Sequence, residues 1–200
     1  VDLFAPAHLL TQLQARPLDL LIDGAQDLPP QHRTLRLAIG RSYALLNAEE
    51  QRLFRALGVF GGGFALPEMA AVMDEKLEIR NLRLGNAAIA HALITSLHAL
   101  IGKSLVRSES MPTGEVRFFL LETIREFALE QMQAHGEEAQ LRQRHYAAYL
   151  HLFRIGDSHL RGPAAATWVA RLAPEQDNLR AALQWALDKS DYKGAAWLLM

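Results

Sequence analysis

Apolar residues return every third or fourth position along most of this chain, the period of a helix with one buried face. Ala7–Leu13 and Leu18–Ile22 are short runs of this kind, separated by Pro17 and closed by Gly24. Asp27-Leu28-Pro29-Pro30 then makes a stiff link, because each proline fixes φ and has no N–H to donate. Thr34–Leu46 predicts a helix with Leu35, Ala38, Leu45 and Leu46 as its apolar positions. Asn47 opens the next one, where its side chain and that of Glu50 suit a capping box. Leu53, Phe54, Leu57 and Phe60 share one face of that helix, and Gly61-Gly62-Gly63 ends it. Pro67 fits the first turn of a short helix running through Val72-Met73. Residues 74–85 are charged and mixed, and read as a loop or surface insertion. Asn86 can cap a helix over Ala87–Ile101, where Ile89, Leu93, Ile94, Leu97, Leu100 and Ile101 recur at helical spacing before Gly102.

The pattern then changes. Ser104–Ser108 and Val116–Leu120 flank the turn-rich Met111-Pro112-Thr113-Gly114, which predicts a β-hairpin. A long helix is expected over Glu122–Ala134, and from there the chain reads as helices only, near 137–155, 164–173, 176–189 and 192–200. Gly162-Pro163, Ala173-Pro174 and Ser190-Asp191 separate them, and Leu179, Ala182, Leu183, Ala186 and Leu187 form the best apolar stripe. Three helices followed by a two-stranded wing is the winged-helix order. The expected fold is therefore mainly α: a winged-helix domain of helices plus one β-hairpin, followed by antiparallel helical-repeat-like helices. Residues 32–135 fit the winged-helix order, with the glycine-run helix as an added element, and the helices beyond suggest a helical-repeat superhelix, although about 60 residues are too few to show a period.

Composition narrows this picture only by exclusion. With 50% hydrophobic and 22% charged residues the chain can bury a core. A formal net charge of -1 gives no prior for nucleic acid or membrane. No apolar run approaches the ~20 residues that span a bilayer, and Val1-Asp2 does not begin a secretory signal. Without an initiating Met, and ending in the apolar run Ala195–Met200, the chain is expected to be a piece of a longer cytoplasmic protein.

Few residues point to chemistry. The absence of cysteine excludes disulfides and Cys-based zinc or thiol sites. Gly102-Lys103-Ser104 looks like the end of a phosphate-binding loop, but the first glycine of that motif would fall on Leu97. The order is also inverted, since a helix ends there instead of beginning. A helix C-cap with a basic residue near its carbonyls is the better reading. Gly58 and Gly63 have the right spacing too, but Phe64-Ala65 follows, so a turn between helices is expected. Of eight histidines, only His91 and His98 share a helix face, and at two-turn spacing, too far for a helical metal pair. No metal site and no catalytic residue is assigned. Glu122, Glu126 and Glu130 lie four apart and read as a solvated face with Arg125 nearby.

DNA binding is the serious question for a winged helix. Its recognition helix, Ala87–Ile101, has no Arg, Lys, Asp, Glu, Asn or Gln, and only His91, Thr95, Ser96 and His98 are polar. Base reading relies chiefly on Arg, Lys, Asn and Gln. Lys103, Arg107 and Arg117, in and beside the wing, are the candidates for phosphate contact. A helix this apolar suits packing against another domain.

Several strings together resemble a known family. They are Asp27–Arg36, Ser42–Leu46, Glu50 with Leu53–Arg55, Gly58–Phe64, Leu100–Val106, Leu120–Ala128 and Gln176–Leu183. In this order they are similar to the STAND-class (NB-ARC-like) ATPases of bacterial transcriptional regulators of the LuxR and SARP types. The resemblance covers nearly the whole chain. It implies a P-loop ATPase core upstream, with residues 1–28 the end of its helical lid, about 29–135 the winged helix and about 136–200 the start of a tetratricopeptide-like superhelix. In such proteins ATP or ADP, with Mg, binds the core, nucleotide exchange drives oligomerisation, and DNA is bound by a separate domain. The partners implied are therefore the upstream core and further copies of the protein. This stretch carries neither P-loop nor Walker B, so no enzyme activity and no cofactor are expected of it alone. The nucleotide-facing Met-His-Asp of eukaryotic relatives aligns with Leu120-Leu121-Glu122, which keeps only the acid. The resemblance thus gives Glu122 a hinge or nucleotide-proximal role. The rival reading is a stand-alone winged-helix DNA-binding regulator with a helical dimerisation tail.

Overall fold

The structure is a computed structural model that describes residues 30–73, 87–111 and 114–199. The expected runs before Pro30, the segment 74–85, the Asn86 cap and Pro112-Thr113 lie outside the described residues. What is described is mainly helical, with one small antiparallel hairpin. The elements are α1 (Pro30–Ala44), α2 (Ala48–Leu57), α3 (Leu66–Met73), α4 (Ala87–Gly102), β1 (Arg107–Ser110), β2 (Val116–Phe119), α5 (Glu122–Ala134), α6 (Glu138–Leu160), α7 (Ala165–Leu172), α8 (Gln176–Asp188) and α9 (Tyr192–Leu199).

Helix α2 starts as its sequence dictates. The Asn47 side chain accepts the Glu50 N–H at 2.9 Å, and the Glu50 carboxylate accepts the Asn47 N–H at 3.1 Å, satisfying two of the free donors of the first turn. Leu53, Phe54 and Leu57 are completely buried and meet Leu97 and Leu100 of α4 and Ile124, Phe127 and Ala128 of α5 in one cluster. This helix is therefore central to the winged helix and not an addition to it. The helix added on the outside is α1, whose Tyr43 ring meets Phe54 and Phe127 at 5.4 and 5.7 Å. Its inward residues are Ile39 and Tyr43, with Leu46 buried just past its end, while Leu35 on the helix and Leu45 beyond it are exposed. With α2, α3, α4 and the hairpin in sequence, the winged-helix order is complete.

The hairpin begins three residues later than its sequence suggests. Ser104 adopts φ 58°, and α4 closes with Ser104 N–H donating to Ile101 O at 2.9 Å and Leu105 N–H to Leu100 O at 3.0 Å. These are the two bonds of a Schellman cap, with serine in the left-handed position that glycine usually takes. Leu105 and Val106 then turn inward, 2% exposed, before β1 pairs with β2 from Arg107↔Phe119 to Ser110↔Val116. Phe64 exchanges both backbone hydrogen bonds with Phe118, so the glycine-loop exit adds a one-residue third rung.

The second half is an antiparallel stack. Helix α6 is the spine; α3 packs on it from the winged helix, and α7, α8 and α9 from the C-terminal side. It runs on to Leu160, past the expected end near 155. Gly156 allows the close crossing there: a Cβ would lie 3.0 Å from Leu172 and 3.2 Å from the Trp168 ring. The turn Ala173–Glu175 is a single 3₁₀ turn leading into α8, whose Ala182 and Ala186 are fully buried. One hydrophobic cluster runs from Ile39 through α2–α5 into α6, α8 and Ala195.

Two substitutions test this account. Ser104→Gly should stabilise the chain by about 1 kcal/mol in urea denaturation, because it removes left-handed strain from a non-glycine residue. Gly63→Ala should destabilise it by about 1–3 kcal/mol, because the new Cβ would lie 2.3 Å from the Phe119 ring.

Candidate functional site

A winged helix would meet a partner through the outer face of α4 and through the wing. On α4, His91, Ala92, Ile94, Thr95 and His98 are exposed. Ile94 is 41% exposed, and the Thr95 hydroxyl is turned back onto its own helix, donating to His91 O at 2.9 Å. The face carries no charged group and one aliphatic side chain at its centre.

The three basic residues expected to touch phosphate are placed very differently. Lys103 is half-buried and its Nζ lies 3.6 Å from the Glu50 carboxylate, which ties the end of α4 to the cap of α2. Arg107 is exposed on β1, 3.4 Å from Glu109. Arg117 is not on the surface at all. It is 2% exposed, with one guanidinium nitrogen paired to Glu175 and the other donating to Gly63 O at 2.6 Å. A hairpin with a solvated face would have turned Arg117 outward; the helical tail covers that face and draws the side chain in. Of the three, Arg107 is the most exposed, and its ion pair with Glu109 lies on the same strand.

Glu122 stands in the first turn of α5, exposed, with both carboxylate oxygens held by Arg125 at 3.1 and 2.7 Å. Leu121 precedes it as an N-cap without a side-chain hydrogen bond. These side chains present no polar group aimed at a phosphate. The Gly102-Lys103-Ser104 amides are likewise committed: Lys103 N–H bonds Ala99 O at 3.1 Å and Ser104 N–H bonds Ile101 O. The helix C-cap reading of that tripeptide describes the geometry.

The densest polar cluster lies where the tail meets the wing. Glu175, 2% exposed, accepts hydrogen bonds from Arg117, from the Tyr149 hydroxyl at 3.0 Å and from the Asn178 amide at 2.9 Å. Asn178, fully buried, also donates to Gly63 O at 2.9 Å and accepts the Gly61 N–H at 3.0 Å. Glu68 of α3 is buried beside them with its Oε2 unpartnered among the described residues. Burial, and then the charge of Glu175, push the Glu68 carboxyl above its usual range. Burial, and then the same carboxylate, raise the Tyr149 hydroxyl well above its ordinary value. His145 packs against Phe60 and Tyr149, at 5.3 and 4.6 Å, and burial pushes it down to about 4 although an Asn178 hydrogen bond opposes this.

Sequence reasoning missed this cluster. Glu175 and Asn178 sit among ordinary helix-start residues, and nothing local shows that they face a glycine loop more than a hundred residues earlier. The available signal was the pairing of a polar Gln176-Asp177-Asn178 start, noted only as a family string, with the Gly61–Gly63 run, read as a helix end and a family string. Among the described residues there is no group of three or more His, Asp or Glu able to hold a metal, and no helix long and apolar enough to cross a membrane.

The chain is similar to mycobacterial regulators. A protein of Mycobacterium tuberculosis named "Putative HTH-type transcriptional regulator", and its Mycobacterium bovis counterpart, are each 37% identical over 170 residues, 84% of this chain. The chain spans 18% of the length of these relatives. An uncharacterized M. tuberculosis protein is 29% identical over 138 residues, 68% of this chain and 32% of its own length. No protein-family pattern matches the chain, and no solved structure does.

His145 gives a testable pH dependence. It is neutral when folded, at about 4, and titrates near 6.5 when unfolded. The stability it contributes is complete above pH 6.5 and is lost as pH falls toward about 4, because the unfolded chain takes the proton first. Urea unfolding of the parent chain between pH 7.5 and 4 should show this loss, and His145→Phe should flatten the slope within that window.

Proposed function

We propose that this chain is a regulatory winged-helix and helical-repeat region of a larger transcriptional regulator, and that it works by packing against protein and not by reading DNA. One observation carries the reading: the outer face of α4, where a winged helix would read bases, is uncharged and centred on exposed Ile94. Base recognition draws on Arg, Lys, Asn and Gln, and α4 has none. Arg117 is engaged inside the fold, and Lys103 is paired with Glu50. The named relatives support a role in transcription, and their much greater length leaves room for the domains that would sense, switch and bind DNA.

The finer reading is a STAND-type signalling ATPase in the cytoplasm. In the intact protein an upstream P-loop core would hold ATP or ADP with Mg, and this region would pack against it, holding the resting state and rearranging on activation, with further copies joining in the active state. The segment itself would supply no catalytic group. Glu122 would act at the hinge before α5 through its Arg125 pair, not as a nucleotide ligand.

A second reading, a stand-alone winged-helix DNA-binding regulator with a helical dimerisation tail, is favoured by exposed Arg107 on the wing and by the HTH-type name of the relatives. Two titrations of the 200-residue chain separate the readings. Isothermal calorimetry with ATP and Mg should show no binding. Duplex DNA should give no sequence-selective complex, and any weak retention should vanish by about 0.2 M salt. A selective, salt-dependent complex that weakens on Arg107→Ala would establish the second reading. Tight ATP binding would refute the assignment of the nucleotide site to an upstream core.

A further inference from the structure

The polar cluster between wing and tail is an unusual way to join two helical units. Apolar packing already holds them together: α3 lies along α6, and Phe60 meets the His145 and Tyr149 rings of α6 at 5.3 and 6.4 Å. A second attachment, Arg144 donating to Met73 O at 3.0 Å, ties α6 to the end of α3. Adhesion between the units is therefore provided without Arg117, Glu175 or Asn178.

What these three residues add is direction. Arg117 and Glu175 are both almost without exposure, so their pairing must recover the loss of hydration for two charges. Such buried pairs contribute little net stability relative to apolar residues of the same size, and their best-attested use is to specify one arrangement among several. Apolar faces slide against each other at small penalty, whereas a guanidinium and a carboxylate with fixed lone pairs do not. The bonds also converge on main-chain atoms: Gly63 O accepts from both Arg117 and Asn178, and Gly61 N–H donates to Asn178. Main-chain targets fix the register of the glycine loop itself, not just that of a flexible side chain.

We propose that Arg117, Glu175 and Asn178 form an orientation pin, which sets the angle at which the helical tail sits on the winged helix and passes changes in that angle from tail to wing. The pin rests on the reading of the chain as a module that acts by domain packing. Rotation of α8 about the pin displaces Asn178 and Glu175 and so loads β2 through Arg117 and the glycine loop through Gly61 and Gly63. The wing and the tail then move as a coupled pair.

The test uses the whole chain and exploits its lack of cysteine. Ser108→Cys on β1 and Lys193→Cys on α9, both exposed, take spin labels whose separation is read by pulsed electron resonance. The labelled parent should show a single narrow distance. E175Q, N178A and the double variant R117L/E175L should each broaden or split that distribution by at least about twofold, while the double variant keeps its thermal midpoint within about 4 °C. If E175Q alone fails to fold, having orphaned the Arg117 charge, the double variant decides, since it buries no charge. A distribution that stays single and narrow in the double variant overturns the pin. So does loss of cooperative unfolding in both the double variant and N178A, which would make the cluster a condition of folding. These outcomes do not depend on the DNA and ATP titrations, so either proposal can fail alone.

Discussion

A guanidinium and a carboxylate closed off from water must satisfy each other, and Arg117 and Glu175 do so across the seam between the two halves of this chain. Removing hydration from both groups carries a penalty of several kcal/mol per ion, which only near-complete hydrogen bonding offsets. That requirement explains the neighbourhood. Tyr149 and Asn178 both donate to the second carboxylate oxygen of Glu175, and Gly63 O and Pro174 O receive the second guanidinium nitrogen. The 3₁₀ turn before α8 puts Glu175 and Asn178 on one side, three residues apart, and the one-residue rung at Phe64 holds the glycine loop against β2 so that its carbonyl faces them. Wing, loop and tail are thus arranged around one charge pair.

Much of the fold could be read from the sequence because it is set locally. The Asn47–Glu50 capping box, the α5 boundaries at Glu122 and Ala134, and the glycine, proline and serine breaks of the tail depend on residues within a turn of each other. One error is local, and the others arose where distant parts decide. Ser104 passed for strand because a left-handed serine closing a helix has no compositional mark. Leu35 and Leu45 passed for core because the period of α1 allows two faces, and only the position of Phe127 selects Ile39 and Tyr43. Arg117 passed for a surface cation because period-2 reasoning assumes one wet face on a hairpin, and here α8 and its leading turn cover it. The polar cluster, with partners up to 117 residues apart, lay beyond any local pattern.

The same division separates the surfaces. The neutral character of α4 was visible in its composition, since no rearrangement can supply charges that the helix lacks. The fate of the nearby cations was not, because pairing with Glu50 or Glu175 depends on the folded chain. A surface read from sequence is thus an upper bound on available charge, and the fold only reduces it.

The three consecutive glycines 61–63 look interchangeable in print, yet they occupy unequal sites. Beside Gly61 a methyl group would meet the Asp177 carbonyl oxygen at 3.2 Å, and beside Gly62 the Asp177 side chain at 3.4 Å, both far looser than the 2.3 Å at Gly63. At Gly63 both carbonyl lone pairs are taken and an aromatic ring fills the space of a side chain. Drift through this loop would then be uneven: the first two letters free to wander among small residues, the third frozen for as long as the ring and the two donors stay where they are.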